Sequence, residues 1–301
     1  MPQPSPDPIR WPLEAVWQAV QPTLHGFTCE MLPTVDSTNA ELMRRFKNGQ
    51  TDSCLLVAEH QSAGRGRLGR QWHGTRGNSL MFSLGMLLSP AAWSGLSLAV
   101  GVSLAESLDP AKADAAYIGL KWPNDLWLAG TPGQEQKLGG VLIETATWQD
   151  TRYVVIGVGL NIASVELPVE KGGDKNSATP AAIAAVPPGE LRALLPDLDA
   201  AGALLRVVPP LVQAVQAFSE FGFAPFQARF AQRDVLANRD VVMSDGLTGT
   251  AHGVSEEGAL LVQTSSGMQV VASAEVSIRP TPPSRPSREV AGGTASTVSK
   301  A

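Results

Sequence analysis

The sequence predicts an α+β protein in which a mixed β-sheet with helices is followed by a small C-terminal β-barrel. The chain of 301 residues is 44% hydrophobic and 17% charged, which is typical of a globular protein with a sizeable core. Strand-like and helix-like segments alternate up to residue 232. Beyond that point, short β-like runs are separated by Asp-Gly, Glu-Gly and Ser-Gly turns, as in small antiparallel barrels.

Hydrophobic periodicity predicts the elements of the larger domain. Strands are expected at 54–61, 79–88, 117–121, 138–146 and 153–162, and helices at 38–48, 93–108 and 205–221. Thr38-x-x-Glu41 forms a capping box, so we expect a helix to begin near Thr38. The stretch 77–105 contains no charged residue, but Gly85 and Gly95 interrupt it. It therefore predicts a buried strand, a turn and a buried helix rather than a membrane span.

Composition also suggests the domain boundaries. The Pro/Ser/Gly-rich ends, 1–12 and 281–301, are expected to be disordered. Residues 13–232 form the larger domain, 163–203 are a poorly patterned variable insertion within it, and 233–280 form the barrel.

The cysteines and the N-terminal sequence indicate the cellular compartment of the protein. Cys29 and Cys54 are the only two cysteines, and no C-x-x-C or Cys/His cluster is present, so a structural zinc site or a disulfide framework is not expected. The start, "MPQPSPDPIRWP", lacks the basic region and apolar core of a secretory signal. We therefore expect a cytoplasmic protein.

The most unusual stretch is "VAEHQSAGRGRLGRQWHGTRGN", residues 57–78, in which Gly64 to Gly69 spell G-x-G-x-x-G. In dinucleotide-binding folds a helix opens at the third glycine, and an acidic residue follows about 20 residues later. Here Gly74 and Gly77 would break such a helix, and the charge-free stretch that follows contains no acid. The dinucleotide interpretation therefore fails on its context.

A phosphate-binding P-loop also fits the spacing of Gly64 and Gly69, but such a loop continues with Lys and then Ser or Thr. Arg70 and Gln71 stand at those positions, so this interpretation fails too. What remains is a flexible loop whose backbone N–H groups and arginine side chains can bind an anion; the arginines are Arg65, Arg67, Arg70 and Arg76. The alternative is a solvated basic loop.

Further polar groups and glycines lie in four other segments. Ser37, Thr38 and Asn39 stand at the expected start of a helix, where a polar ligand group could dock. "KWPND" contains a turn between strands, and Lys137 immediately precedes an apolar strand. In "YVVIGVGLNI" the alternate glycines leave room on the surface of a buried strand.

Five of these segments together resemble one family. "DSTN", "AEHQSAGRGRLGRQW", "KWPND", "KLGGVLIE" and "GVGLNI" occur in the order and approximate spacing found in biotin protein ligases. The resemblance covers roughly residues 30–280, and the last part is similar to the SH3-like barrel of that family. It implies a class II aminoacyl-tRNA-synthetase-like catalytic fold, shared by biotin and lipoyl ligases, in the larger domain.

The resemblance implies a reaction in two steps. Biotin and MgATP give biotinyl-5′-AMP and pyrophosphate, and a lysine of a biotin carboxyl carrier protein domain then attacks the mixed anhydride and releases AMP. ATP and Mg²⁺ are the implied cofactors, with the metal carried by ATP rather than by a dedicated protein cage. Only 36 residues precede Ser37, which suggests the monofunctional type that does not bind DNA. We expect a monomer or a homodimer and no membrane partner.

The family's functional residues carry over onto matching positions. Lys137, Arg67 and Asp125 are the implied catalytic residues. Asp125 would orient or deprotonate the acceptor lysine, or would only stabilise its turn. The implied biotin-binding residues are Ser37, Thr38, Asn39, Gln61, Arg65, Gly66, Arg67, Lys137, Gly140, Gly157 and Gly159. Those implied for ATP and the adenylate are Arg65, Arg67, Trp72, Asn124, Lys137 and Asn161.

Some positions depart from the family. Leu68 stands where many members have a basic residue, and Ala274 replaces a common glycine. The nearest alternative is a lipoyl or octanoyl ligase, which shares the fold but not these motifs. An alternative of another class is a nucleic-acid-binding module that uses the arginines. The net charge of −5 and the lack of interleaved aromatic residues in the barrel argue against it.

Overall fold

The computed structural model describes residues 8–112, 116–131, 133–148, 151–165, 186–244, 246, 248–272 and 279–280. Its helices are α1 (Leu13–Val20), α2 (Thr38–Lys47), α3 (Leu96–Leu108), α4 (Ala200–Phe221) and α5 (Ala224–Ala231). Its strands are β1 (Thr28–Val35), β2 (Cys54–Gln61), β3 (Ser79–Leu87), β4 (Tyr117–Lys121), β5 (Asp125–Ala129), β6 (Gln136–Trp148), β7 (Thr151–Asn161), β8 (Asp240–Val242), β9 (Thr248–Val254), β10 (Leu260–Thr264), β11 (Gly267–Val271) and β12 (Arg279–Pro280).

A seven-stranded mixed sheet forms the centre of the larger domain, in the order β1-β2-β3-β7-β6-β5-β4. β1 and β2 run parallel, because α2 crosses between them, and the other neighbours are antiparallel. Val35 at the end of β1 pairs with Gln61 at the end of β2. The carboxyl ends of these two strands therefore meet at one edge, beside the start of α2.

The two faces of the sheet are covered differently. The larger core lies under α1, α3, α4 and α5. A smaller cluster lies under α2, where Phe46 stacks on Tyr153 with ring centroids 4.6 Å apart. α4 is long and apolar enough to cross a membrane, but half of its most apolar 18-residue stretch is buried inside the protein. Since α4 packs against α3, α1 and β3, it is a core helix here.

Several element predictions need correction. α1, β1, β5 and α5 were not expected, because their short apolar patterns are weak and tertiary contacts stabilise them. α2 does begin at Thr38, but its cap is Ser37, whose Oγ accepts a bond from the Ala40 N–H at 3.4 Å. α3 begins only at Leu96, after Gly95 with its φ of 84°. Lys137 lies within β6, not before it.

A five-stranded antiparallel sheet of order β11-β10-β9-β8-β12 follows the larger domain. It packs directly behind the "KWPND" turn. The buried Trp122 side chain donates its indole N–H to the carbonyl oxygen of Gly258, 3.0 Å away in the turn between β9 and β10. The small domain is thereby hydrogen-bonded to the segment that leads into β5.

Parts of the expected chain ends and insertion lie outside the described residues: 1–7, 166–185, 281–301 and also Ala274. For residues 8–12 the expectation of disorder is wrong. Trp11 packs against the core, and its indole N–H donates to Glu59 Oε1 at 3.2 Å. A proline-rich composition weakens local structure, but one aromatic side chain can still anchor such a segment.

Candidate functional site

A cavity of about 160 Å³ opens at the edge where α2 begins. Its walls come from distant parts of the chain: the first residues of α2, the end of β2, the arginine loop (here residues 64–72), the "KWPND" turn, and the middle of β6 and β7. The predicted site residues that line it are Ser37, Thr38, Asn39, Gln61, Arg65, Gly66, Arg67, Trp72, Asn124, Asp125, Lys137, Gly140, Gly157 and Gly159. Of the predicted site residues, only Asn161 does not line it.

Buried and partly buried polar groups line part of the cavity. Gln61 Oε1 accepts hydrogen bonds from the Thr38 N–H at 2.7 Å and from the Thr38 hydroxyl at 3.2 Å. The Ser83 hydroxyl lies 2.7 Å from Thr38 Oγ1 and donates to Asn39 Oδ1 at 2.6 Å. The strand ends and the helix start therefore hold these groups in one connected network.

Asn39 is held from both sides. Its Nδ2 donates to Glu144 Oε2 at 2.8 Å and to the Leu142 carbonyl at 3.3 Å, while Oδ1 accepts from Ser83. A methyl group at Gly157 would overlap the Asn39 side chain. The glycine in β7 therefore makes room for Asn39, and the Asn39 amide hydrogen-bonds to β6 in the wall of the cavity.

Gly159 makes room for Trp72 in the same way. A methyl group at Gly159 would overlap the indole ring, which lines the cavity. The indole Nε1 is buried and has no hydrogen-bond partner among the described residues. The alternate glycines of β7 thus make room for two side chains of the site. The sequence predicted only that these glycines leave room on the surface of the strand.

The arginine loop is a closed hairpin. The Trp72 N–H donates to the Gly64 carbonyl at 2.9 Å, and the Gly66 N–H donates to the Arg70 carbonyl at 2.7 Å. Its tip is a single 3-10 turn that contains Leu68 with φ 57°, and the Leu68 side chain is 60% exposed. The next element after Gly69 is the strand β3 and not a helix, which agrees with the rejection of the dinucleotide and P-loop interpretations.

Arg67 points from this hairpin into the cavity. Its Nη1 lies 3.5 Å from Asn124 Oδ1, the limit of a hydrogen bond. Burial lowers the pKa of the Arg67 guanidinium, Asp125 partly offsets this, and Arg70 adds to it. The group keeps its charge at neutral pH, since an arginine guanidinium is not deprotonated in proteins. A half-buried cation that makes no ion pair with any carboxylate of the described residues is suited to bind an anionic ligand.

Lys137 and Asp125 face each other across β6 and β5. Lys137 Nζ donates to Asp125 Oδ1 at 2.7 Å. The Lys137 backbone is fixed as well, because its N–H donates to Pro187 O at 2.8 Å and its carbonyl accepts from the Gly189 N–H at 2.9 Å. Gly140 lies beside the pair, where a methyl group would be 3.4 Å from Asp125 Oδ1.

Asn124 and Asn161 are both engaged with β6. Asn124 Nδ2 donates to the Val141 carbonyl at 2.8 Å, and Asn161 Nδ2 donates to the Lys137 carbonyl at 3.3 Å. Asn161 is buried behind Lys137. Its observed contact is thus with the backbone that carries the lysine.

Comparison with known proteins identifies the family. The chain is 34% identical over 265 residues to the bifunctional ligase/repressor BirA of Escherichia coli, covering 85% of this chain and 75% of that protein. This chain belongs to the biotin protein ligase family. A biotin--[acetyl-CoA-carboxylase] ligase of Mycobacterium tuberculosis is 31% identical, with 82% and 87% of the two chains covered.

Family models match both domains of this biotin protein ligase family member. The biotin/lipoate A/B protein ligase family matches residues 31–161, and the biotin protein ligase C-terminal domain matches 241–279. The solved biotin protein ligase from Aquifex aeolicus in complex with biotin and ATP aligns with a TM-score of 0.65 at 28% identity, covering 84% of this chain and 99% of that one. The fold class and the family expected from the sequence are confirmed.

Further residues that line the cavity of this ligase family member are not among the predicted site residues, although Arg70 is one of the arginines expected to bind an anion. They are Leu68, Arg70, Gln71, Phe82, Lys121, Pro123, Val141, Leu142 and Val158. Lys121 is the notable one, since it is only 8% exposed and its Nζ lies 5.5 Å from the centre of the Trp127 ring. Its position in "KWPND", the motif that also contains Asn124 and Asp125, was the available signal.

Proposed function

We propose that this chain activates biotin with ATP to biotinyl-5′-AMP and then transfers biotin to a lysine of a biotin carboxyl carrier protein domain. The supporting observation is a single cavity lined both by uncharged hydrogen-bonding groups and by cations. Biotin carries an uncharged polar ring and a carboxylate, so a lining with both kinds of group suits it.

The polar end of biotin would lie against Ser37, Thr38 and Gln61. The Thr38 hydroxyl and backbone N–H already donate to Gln61, and the Ser37 hydroxyl accepts from the Ala40 N–H, so the orientation of each side chain is fixed. A ligand that exchanges hydrogen bonds with a fixed network loses little free energy to ordering of the protein. We therefore expect discrimination against acids that lack this polar ring, such as lipoate and octanoate.

The cations would counter the repulsion between the biotin carboxylate and the α-phosphate of ATP. Arg65, Arg67 and Lys137 line the cavity, and Asp125 is the only acidic residue among its lining residues. Fixed positive charges aimed at the reacting oxygens stabilise the charge that develops in the transition state. Arg65 lies 3.7 Å from Glu144 Oε1, so its charge is partly offset in the absence of substrate.

The ion pair of Lys137 with Asp125 suggests an order of events. When the phosphate arrives, the Lys137 ammonium would turn toward it and leave Asp125 without its partner. Asp125 would then be free to accept a hydrogen bond from the acceptor lysine in the second step. An amine attacks the mixed anhydride only after it loses a proton, and a nearby carboxylate can assist in that loss.

The metal would arrive with the nucleotide. No group of three or more His, Cys, Asp or Glu side chains that could hold a metal ion occurs within the described ranges. The one carboxylate that lines the cavity already accepts from Lys137. Mg²⁺ would therefore be held chiefly by triphosphate oxygens, which is its usual mode of binding in nucleotide sites.

Three further parts of the proposal concern partners and place. We propose that the protein works in the cytoplasm, that it acts as a monomer or a homodimer, and that it does not bind a specific DNA operator. Sedimentation with and without biotinyl-5′-AMP would give the oligomeric state. A footprint on a biotin-operon-like operator at physiological salt would contradict the last part.

Incubation with labelled biotin, ATP and a purified carrier domain tests the main proposal. Label should appear on one lysine of the carrier, with one pyrophosphate released for each adenylate formed. Parallel reactions with lipoate and octanoate test the alternative ligase activity. If those acids are adenylated and biotin is not, the proposal is wrong.

A further inference from the structure

A hydrogen-bonded cluster lies at the base of the arginine loop, outside the cavity. Glu59 uses both carboxylate oxygens: Oε1 accepts from the Trp11 indole N–H at 3.2 Å, and Oε2 accepts from Arg76 Nε at 2.6 Å. The Glu59 side chain is 10% exposed and that of Arg76 is 32% exposed. None of these three residues lines the cavity.

The cluster joins the two chain segments that flank the loop. Glu59 lies on β2, two residues before Gln61, whereas Arg76 follows the hairpin that closes at Trp72. Their ion pair therefore bridges the segment that enters the arginine loop and the segment that leaves it. A mostly buried ion pair is costly to break on one side, because the remaining charge is left without a partner.

The N-terminal segment completes this bridge. Trp11 packs on the core and donates to the same carboxylate, and a methyl group at Gly77 would lie 4.0 Å from Ile9 Cδ1. Residues 8–12 thus cross the base of the loop. Without Trp11, one oxygen of a nearly buried carboxylate would lose its donor, and the orientation of Arg76 would be less well defined.

We propose that Trp11, Glu59 and Arg76 are positioning residues that fix the base of the arginine loop, so that the N-terminal segment sets how long the loop retains a bound adenylate. The identity of that ligand rests on the proposed function. The positioning role itself concerns the order of the loop and exists without any ligand.

The first test compares two tryptophan variants. Trp11→Phe keeps an aromatic ring and removes the N–H that Glu59 accepts. Trp17→Phe is the matched control, because its N–H donates at 2.9 Å to the Phe27 carbonyl, away from the loop. The readout is the rate at which trypsin cleaves the ligand-free protein after Arg65, Arg67 or Arg70. Cleavage in a folded loop requires local opening of the hairpin.

We expect Trp11→Phe to raise that rate about 10-fold or more, as loss of a hydrogen bond to a charged group predicts. Trp17→Phe should cleave at the wild-type rate. Arg76→Met, which removes the other donor, should match or exceed the effect of Trp11→Phe, and Arg76→Lys should restore part of the protection. Equal cleavage in wild type, Trp11→Phe and Arg76→Met would overturn the proposal.

The second readout is the dissociation rate of labelled biotinyl-5′-AMP. It should rise in Trp11→Phe and stay unchanged in Trp17→Phe. Unchanged dissociation in Trp11→Phe would overturn the link to ligand retention. If the wild-type protein binds no biotinyl-5′-AMP at all, the proposed function fails, while the cleavage rates still decide whether the cluster orders the loop.

Discussion

Lys137 Nζ and Asp125 Oδ1 lie 2.7 Å apart on neighbouring strands, at the mouth of the cavity that also receives Arg67. The lysine is thus held by a carboxylate before any substrate is present. Both side chains are fixed on strands rather than on the loop, which is a more rigid support for groups that must be placed accurately.

Lys137→Ala should lower the rate of adenylate formation by about 100-fold or more, since it removes the charge that we propose to stabilise the reacting phosphate. Biotin-dependent pyrophosphate release measures this. Lys47→Ala, at the C-terminal end of α2 and exposed, is the control for loss of one lysine. Near-normal pyrophosphate release by Lys137→Ala would rule out a catalytic role.

Arg67→Gly should separate the two half-reactions. The loop would lose the proposed charged contact to the adenylate, so biotinyl-5′-AMP should dissociate about 10- to 100-fold faster and should biotinylate unrelated proteins. Leu68→Gly is the matched control, because it removes a side chain from the same turn without removing a charge. The measurement is the dissociation rate of the labelled adenylate from each variant. Equal rates in wild type and Arg67→Gly would exclude a phosphate contact.

Trp122→Phe should destabilise the protein by about 1–3 kcal/mol, because the Gly258 carbonyl in the docked turn loses its indole donor. Trp127→Phe is the control, since its Nε1 is buried without a hydrogen-bond partner among the described residues. Urea unfolding measures both. Equal losses in the two variants would show that the bond between the domains contributes nothing specific.

Asp234 should make stability depend on pH. Burial raises the pKa of its carboxyl to about 6, only partly offset by the bond from the Leu236 N–H, and its Oδ2 is buried without a partner among the described residues. A raised carboxyl pKa means that the folded state binds the proton more tightly than the unfolded chain. The charged form therefore costs stability above pH 6, and this cost disappears as the pH falls toward 4.

Asp234→Asn should accordingly be more stable than wild type above pH 6, by about 2–3 kcal/mol at most, and the difference should shrink toward pH 4. Asp240→Asn is the control, because Asp240 is exposed. Thermal unfolding of the three proteins between pH 4 and pH 8 is the measurement. Parallel stability curves for wild type and Asp234→Asn would contradict the raised pKa.

The sequence alone determined the family and the fold class, because five short motifs in one order are specific even though each is weak. It also determined the predicted lining residues, since each lies in one of those motifs. The roles proposed for them remain predictions. β5 and α1 were not predicted, because short apolar runs have no reliable periodicity of their own and are stabilised by neighbours distant in the chain.

Only the tertiary structure decided how these residues act on each other. The parallel pairing of β1 and β2 brings Thr38 to Gln61, and β7 brings Gly159 to Trp72. The N-terminal Trp11 reaches Glu59, although the composition of that segment suggested disorder. Hydrophobic patterns and motifs are local properties, whereas these contacts join residues from 23 to 87 positions apart and follow from the register of strands and the packing of faces.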